Sequence, residues 1–397
     1  MFVDVACTDL RLPTAEVLSG GVEIIDQLAG EWRTLCEHSR YDEPFYRPEW
    51  IAAYVRAFAQ DKTVVLATAR SGGRLTAVLP LIQENGLIGG LPARKLRAAG
   101  NVHTCRFDLV HRVGFGEAVI PAVWDALQSM PGWDLLELPD VVIRGAAGEL
   151  ARLASTQGYA THATRAATSP YVTLPTLEGL APHPVARIDS KFRSNLRRRM
   201  RKLQLRGPIK LICTRQADER LAYFYELERA GWKGADRSAI VCNARTREFY
   251  EQVARWCERL GTLCIYTLEC AGRPVAMFYG LQQRSRYFLL KTAYDESFSD
   301  CSPGQLITQE VLRALAAEDC VEFDFLGELT DWKKEWIPRL RPHSNWYVFR
   351  GPWGRALHRM RFQVRPAIGR SLRALRGSPA DRVDAGRTDN TGAGDHP

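Results

Sequence analysis

Two tandem α/β halves with mixed sheets, a basic C-terminal helix and a disordered tail are the fold that this sequence predicts. Two observations carry that expectation. Thr63–Leu81 (TVVLATARSGGRLTAVLPL) and Thr262–Gly280 (TLCIYTLECAGRPVAMFYG) lie over each other without a gap at an offset of 199 residues, from Thr63 to Thr262. Each reads as a β-rich run, a turn carrying Gly-Arg and a second β-rich run, the pattern of a hairpin of buried strands. After each hairpin the sequence repeats a helix and a short acidic strand. These are Pro121–Met130 with Trp133–Leu138 in the first half, and Gly304–Glu318 with Val321–Leu326 in the second. Helices alternating with strands in this way indicate α/β units.

The remaining elements fall around these. Ile51–Ala59 precedes the first hairpin as a helix, and Asp218–Ala230 and Thr246–Leu260 precede the second. In the last of these, Phe249, Val253 and Trp256 recur at helical spacing. His343–Phe349 reads as a closing strand. The loop-like stretch Thr176–Pro184 (TLEGLAPHP) sets the expected boundary. The halves are then 1–180 and 181–350, with the donor site in the second, and 351–397 holds the basic amphipathic helix and the flexible tail. From Ser378 onward Asp, Gly, Thr and Arg dominate without apolar periodicity.

Composition narrows the function. With 46% hydrophobic and 10% aromatic residues among 397, a disordered chain is excluded. The net charge of +9 sits in two places. Lys191–Arg206 holds eight basic residues and no acid, and so does Arg350–Arg376; without those sixteen charges the rest of the chain carries −7. Position, rather than total charge, is therefore the clue to anionic partners. The N-terminal residues lack the apolar core of a secretory signal. No run approaches the ~18 apolar residues of a membrane span. The ten cysteines include no CxxC pair, so the expectation is a cytoplasmic protein with reduced thiols and no metal. His103, Cys105 and His111 come nearest to a ligand set, but their apolar surroundings suit a strand or loop better.

Four features carry chemistry. Cys301-Ser302-Pro303-Gly304-Gln305 follows a strand and opens a helix, with Ser302 as the expected N-cap and Pro303 at the first helical position. Free amides around Gly304–Leu306 would suit a phosphate, or the segment is simply a well-formed helix start. Asp324, between Phe323 and Phe325 at the end of a buried strand, would sit where open α/β sheets bind ligands; equally, it would pair with a lysine. Gly231-Trp232-Lys233-Gly234 would end a helix and place a lysine and an aromatic at a cleft near Tyr294. In the basic segment, Phe192, Leu196, Met200 and Leu203 share one helical face, with Lys191, Arg193, Asn195 and Arg197 on the rest. That helix is either a solvated one docked by its stripe or a contact for an anion. The second block repeats the pattern with Leu357, Met360, Val364, Ile368, Leu372 and Leu375, interrupted by Pro366; it reads as a solvated C-terminal helix or as one lying on an anionic membrane.

Taken in order, these segments resemble the acetyltransferase domain grouped with the cellulose-biosynthesis protein CelD. That domain is a branch of the GNAT-related superfamily close to the FemAB-type aminoacyl transferases. The resemblance begins at Phe45-Tyr46-Arg47-Pro48-Glu49-Trp50 and continues through Ser169-Pro170-Tyr171-Val172, Leu174-Pro175 and Ser190–Arg198. It then runs through Gly272–Ala276, Ala293-Tyr294-Asp295, Ser302-Pro303-Gly304 and Asp324–Gly327 to Trp332-Lys333-Lys334-Glu335-Trp336. Trp332 stands where the family more often has Tyr. The resemblance implies two GNAT-like halves and transfer of an acyl group, from acetyl-CoA or another acyl-CoA, to an amine. The implied acceptor is a sugar, a nucleotide-sugar or another cell-envelope or exopolysaccharide precursor. It places the donor pyrophosphate at Ser302, Pro303, Gly304 and Gln305, and the reacting cleft at Asp324, Lys333, Tyr294, Trp232 and Lys233. An anionic acceptor would meet Lys191, Arg193, Asn195 and Arg197. The alternatives are a FemAB-like aminoacyl-tRNA-dependent transferase and a non-catalytic scaffold of a polysaccharide-synthesis assembly. Peripheral contact with the inner membrane is a further expectation, and nucleic acid other than tRNA is not.

Overall fold

The computed structural model describes residues 12–174 and 188–365. The boundary loop Thr176–Pro184, Pro175, Pro366, Ile368, Leu372, Leu375 and the tail lie outside the described residues. The strands of the first half are β1 Thr14–Gly20, β2 Thr63–Ser71, β3 Arg74–Ile88, β4 Leu91–Ala98, β5 Val110–His111, β6 Leu135–Val142 and β7 Ala160–Thr173. Those of the second are β8 Ile209–Thr214, β9 Leu263–Cys270, β10 Arg273–Gln283, β11 Arg286–Tyr294, β12 Glu322–Asp324 and β13 Arg339–Phe349. The longer helices are α1 Glu23–Glu37, α2 Pro48–Phe58, α3 Gly116–Ser129, α4 Ala146–Thr156, α5 Ser190–Gln204, α6 Glu219–Ala230, α7 Ala244–Arg259, α8 Pro303–Ala317 and α9 Gly351–Arg359.

The repeat seen in the sequence is exact in register. Thr68 pairs with Val78 and Ala69 with Ala77; at the 199-residue offset, Thr267 pairs with Met277 and Leu268 with Ala276. Both turns need positive φ at two successive residues, Gly72-Gly73 (55° and 78°) and Ala271-Gly272 (52° and 77°), as twisted two-residue hairpins require. In each half the hairpin continues to a third antiparallel strand. A helix crossover, α3 or α8, then leads to a parallel strand, so β4 pairs with β6 and β11 with β12.

The halves do not keep separate sheets. All thirteen strands form one sheet, ordered β1-β2-β3-β4-β6-β13-β7-β12-β11-β10-β9-β8 with β5 on β3. The last strand of each half crosses to the other: β13 pairs antiparallel with β6, and β7 with β12. The two exchanged strands pair with each other over Arg339–Phe349 and Ala160–Tyr171. The expected strand 321–326 shortens to three residues, because β7 is there to pair only with Glu322–Asp324.

On one face of the sheet, α1 and α2 meet α6 and α7 in a core shared by both halves. Trp50 meets Phe249 edge-on at 5.3 Å and Phe45 meets Phe288 at 5.7 Å. On the other face each half has its own core, under α3 and α4 in the first and under α5 and α8 in the second. The apolar stripe read from the basic segment is real: Phe192, Leu196 and Leu203 are buried in the second of these. The C-terminal basic segment docks by part of its apolar stripe. Leu357 is fully buried against the sheet, whereas Val364 is 40% exposed, and Met360–Val364 winds as a π-helix. No helix among the described residues is long and apolar enough to cross a membrane.

Polar groups also tie the halves together. Arg106 is wholly buried and bonds Glu43 (2.7 Å) and Asp324; Asp324 also meets Arg341. Glu43 takes Arg286 (2.9 Å) and Arg341 takes Glu322 (3.0 Å). Three arginines thus face three carboxylates contributed by both halves. Burial pushes the Glu43 carboxyl up, but Arg106 and Arg286 outweigh it and hold it below the usual range. Removing one member of a buried pair leaves an uncompensated charge. Arg106→Met is expected to lower the unfolding free energy by about 3–5 kcal/mol, as urea denaturation would measure.

His103 packs between Phe58 (5.5 Å) and Phe249 (5.9 Å), and its Nδ1 lies 3.3 Å from the Tyr250 hydroxyl. Burial, aided by Lys291, pulls this imidazole down from 6.5 to about 4. Between those values the unfolded chain binds the proton better than the folded one. The stability is therefore complete above pH 6.5 and is lost as pH falls toward 4. The expected result is a flatter decline of melting temperature across that window in His103→Phe than in the wild type; parallel curves would refute the assignment.

Candidate active site

The parallel pairing of β11 with β12 covers only Arg286–Phe288. β11 then runs on to Tyr294 with no β12 partner, so the sheet opens into a notch. A β-bulge at Tyr279/Gly280 marks the same stretch, a frequent device for re-aiming a strand beside a functional site. A cavity of about 340 Å³ occupies the notch. Phe278, Thr292, Ala293 and Tyr294 form its floor, Ser299 and Ser302–Gln305 its wall, and Trp232 and Trp332 its rim. The equivalent notch between β4 and β6 is filled by the chain itself. There Phe107 bridges to Val141, and its amide donates to the Asp140 carbonyl (3.2 Å). A second cavity, about 360 Å³ at the start of α3, is lined by Asp108, Glu117 and Glu149 beside Arg40 and Arg144.

The structure thus gathers six of the predicted residues around one space: Trp232, Tyr294, Ser302, Pro303, Gly304 and Gln305. The details of the helix start differ from expectation. Ser302 does occupy the N-cap position, but in the left-handed conformation (φ 49°, ψ 62°), and its hydroxyl caps nothing. Its carbonyl instead accepts the amides of Gln305 (3.0 Å) and Leu306 (3.3 Å), so those amides are not free for a ligand. The Gln305 side chain is also occupied, since it donates to the Trp332 carbonyl (3.2 Å) and accepts from Trp336 Nε1 (2.7 Å). Pro303 sits at the first helical position as predicted, and beside Gly304 there is open space where a Cβ would stand.

The charged candidates lie elsewhere. Asp324 is held by Arg106 and Arg341 in the buried network, with its other oxygen taking the Leu326 amide (2.9 Å); it does not line the cavity. Lys333 Nζ donates to the carbonyls of Leu326 (2.7 Å) and Glu328 (2.8 Å). Burial pulls this amine down to about 8 while Asp324 opposes. Lys233 lies in a narrow cleft adjoining the cavity and donates to Glu228 (2.9 Å) and to the Thr292 carbonyl (2.6 Å) that β12 leaves unpaired. Gly231, at φ −88°, does end α6, and Gly234 lies against the Arg229 carbonyl so closely that a Cβ would clash.

The basic helix is placed beside the cavity rather than in it. Asp189 caps α5 by accepting the amides of Lys191 (2.7 Å) and Phe192 (3.2 Å). Arg193 donates to the Ile188 carbonyl (3.4 Å), and Lys191 and Arg197 are exposed, with Asn195 half-buried among them. Its C-terminal end holds the turn that leads into α8: Lys202 and Arg206 both reach Asp300 at 2.6 Å, just before Ser302. That clamp went unnoticed in the sequence, where the acid in Ser299-Asp300-Cys301 was the available signal. Lys291 was missed too, a lone cation in the run Tyr287–Tyr294. It lies 5.3 Å from the Tyr250 ring, and burial followed by Lys233 lowers its pKa.

Residues 190–334 match the family model of the acetyltransferase (GNAT) domain. The crystal structure of FemX superposes with a TM-score of 0.58 at 11% identity, covering 86% of this chain and 100% of that one. The fold is that of the GNAT acyltransferases. A tandem GNAT protein from the clavulanic acid biosynthesis pathway aligns at a TM-score of 0.44 and 15% identity, over 85% of this chain and 99% of that one. L-PGS from Bacillus licheniformis aligns at 0.46 and 13%, over 81% and 97%. No curated protein matches the chain in sequence. The GNAT-type match falls on the half whose notch is open.

The loop under Trp332 depends on Lys333. Lys333→Met would leave two carbonyls unpaired, at a cost of about 2–3 kcal/mol. Faster amide exchange across 326–336, with α5 unchanged, is the expected signature by mass spectrometry.

Proposed function

We propose that this protein is an N-acyltransferase that takes its acyl group from acetyl-CoA or another acyl-CoA held in the β11–β12 notch. The observation that carries the reading is the cavity itself, which lies where two parallel strands part and is walled by the start of α8. Its lining is largely apolar and aromatic, with few polar groups, as ligand pockets usually are. The open space at Gly304 admits a bulky anionic group against the positive end of a fifteen-residue helix. The donor would supply a thioester, which an amine attacks directly. The chain's own part is to hold, orient and dry the reacting groups. Ser302–Gln305 bound the anionic end, and Phe278, Thr292 and Tyr294 flank the acyl arm. Trp232, 54% exposed, and Trp332 cover the mouth. Glu228 and Lys233 lie in the narrow adjoining cleft, bonded to each other at 2.9 Å.

The acceptor is proposed as an amino group of a sugar, a nucleotide-sugar or another envelope or exopolysaccharide precursor. The exposed cations Lys191 and Arg197 of α5, with Arg193 and Asn195, would receive its anionic part. The same exposed basic face favours a second reading, in which charged tRNA replaces acyl-CoA as donor. Competition between acetyl-CoA and charged tRNA separates the two. A peripheral contact with anionic membrane would rest on Arg355 and Arg359, which α9 leaves exposed.

The test is Gly304→Glu. A carboxylate in the first turn of a helix leaves stability unchanged or slightly raised, yet it would fill the open space with the wrong charge. Acetyl-CoA binding by calorimetry is expected to weaken at least tenfold while the melting temperature holds. Undiminished binding would locate the donor elsewhere, and a wild type that binds no CoA thioester would overturn the proposal.

A further inference from the structure

Away from the notch, two thiols face each other at the outer edge of the second half. Cys213 on β8 and Cys264 on β9 have their sulfurs 3.3 Å apart. Cys213 is paired in register with Tyr266, so Cys264 is its diagonal neighbour across the antiparallel ladder. One is accessible and the other is not: Cys213 is exposed and Cys264 fully buried. β8 is the last strand of the sheet, bonded on one side only, and is therefore free to shift slightly.

We infer that Cys213 and Cys264 are a redox pair that closes to a reversible disulfide when a peroxide reaches Cys213. A disulfide needs its sulfurs about 2.05 Å apart, so closure asks for a movement of about 1.3 Å. Between diagonal neighbours that closure draws on a small shift of the edge strand as well as on side-chain rotation. The polarity also suits the reaction. The hydrogen bond from the Cys264 thiol lowers the pKa of Cys213 ahead of the opposing effect of burial, and Arg215 adds to it. The same bond, with burial, raises Cys264. The thiolate is the nucleophile, so attack begins at the exposed sulfur.

The electrons balance in two steps. The Cys213 thiolate attacks one oxygen of hydrogen peroxide, the O–O bond breaks, and water leaves once protonated, giving a sulfenic acid. The Cys264 sulfur then attacks the Cys213 sulfur; the S–O bond breaks, and hydroxide leaves as a second water with the Cys264 proton. Two thiols lose two electrons, and one peroxide becomes two waters. Arg215 lies 3.7 Å from Glu318, at the end of α8 remote from the donor cavity. A helix of fifteen residues spans about 22 Å. The pair is thus independent of the proposed acyl transfer, and acyl-CoA binding should be the same in both redox states.

The full-length protein, reduced and freed of reductant, would be treated with hydrogen peroxide, alkylated under denaturing conditions and mapped by mass spectrometry. The expected product is a linked Cys213–Cys264 peptide 2 Da lighter than the sum of the two reduced, unalkylated peptides; it reverts with dithiothreitol and does not form in Cys213→Ser. In Cys264→Ser the reaction should stop at a Cys213 sulfenic acid that dimedone captures. Cys242 is also exposed and serves as an internal reference. If Cys264 in the peroxide-treated wild type remains fully alkylatable, or Cys213 proceeds to sulfinic acid without pairing, the inference is wrong. Because Cys213 is exposed, its serine variant should fold normally, so the outcome does not depend on the buried substitution.

Discussion

Everything else in this molecule hangs on the buried ionic cluster around Arg106. It joins a loop of the first half to β12 and β13 of the second, and each member neutralises another. Ion pairs of this kind contribute little net stability compared with an apolar core of the same volume, but they tolerate few alternative arrangements. Their value here is positional. With Glu43 and Asp324 on one guanidinium, Arg286 on the other oxygen of Glu43 and Arg341 sharing the Asp324 oxygen with Arg106, the two halves have one way to meet. Fixing that meeting also fixes where β12 ends, and hence where the notch opens.

The cluster explains which parts of the molecule the sequence made legible. The hairpin repeat was visible because strand pairing leaves a two-residue pattern and a turn with its own chemistry, both preserved at the 199-residue offset. The start of α8 was visible because Ser-Pro-Gly is local grammar. Asp324 was misread for the opposite reason. An aspartate between aromatics at a strand end has the same local signature whether it serves a ligand or a buried arginine 218 residues away. Lys233, Lys333 and Gln305 belong with it. Each spends its polar atoms on backbone or side-chain partners that only the folded chain brings together. The crossing of β7 and β13 was hidden because the final strand of a half looks alike in sequence whichever sheet completes it.

The notch is consequently a site of backbone and aromatic surfaces more than of reactive side chains. Its charged neighbours act as props: Lys333 holds the loop under Trp332, Lys202 and Arg206 hold the turn before Ser302, and Lys233 holds the free edge of β11. Such an arrangement suits a reaction whose chemistry resides in an activated donor and whose catalyst supplies geometry. In the first half a cavity lies at the start of α3 rather than in the gap between β4 and β6. There Phe107 occupies the space, and the adjoining Arg106 is committed to joining the halves.

The exchanged strands have a consequence for the order of events on the ribosome. β6 emerges early but is completed by β13, and β7 has no partner until β12 and β13 exist. From Thr173 to Phe349 there are 176 further residues to translate, roughly 10–35 s at usual elongation rates. For that interval the nascent first half carries an open sheet edge with apolar residues such as Leu135, Leu136 and Leu138 beside it. An edge of that kind invites pairing with other chains. The cost of exchanging strands is thus an edge left open to such pairing until β13 closes it.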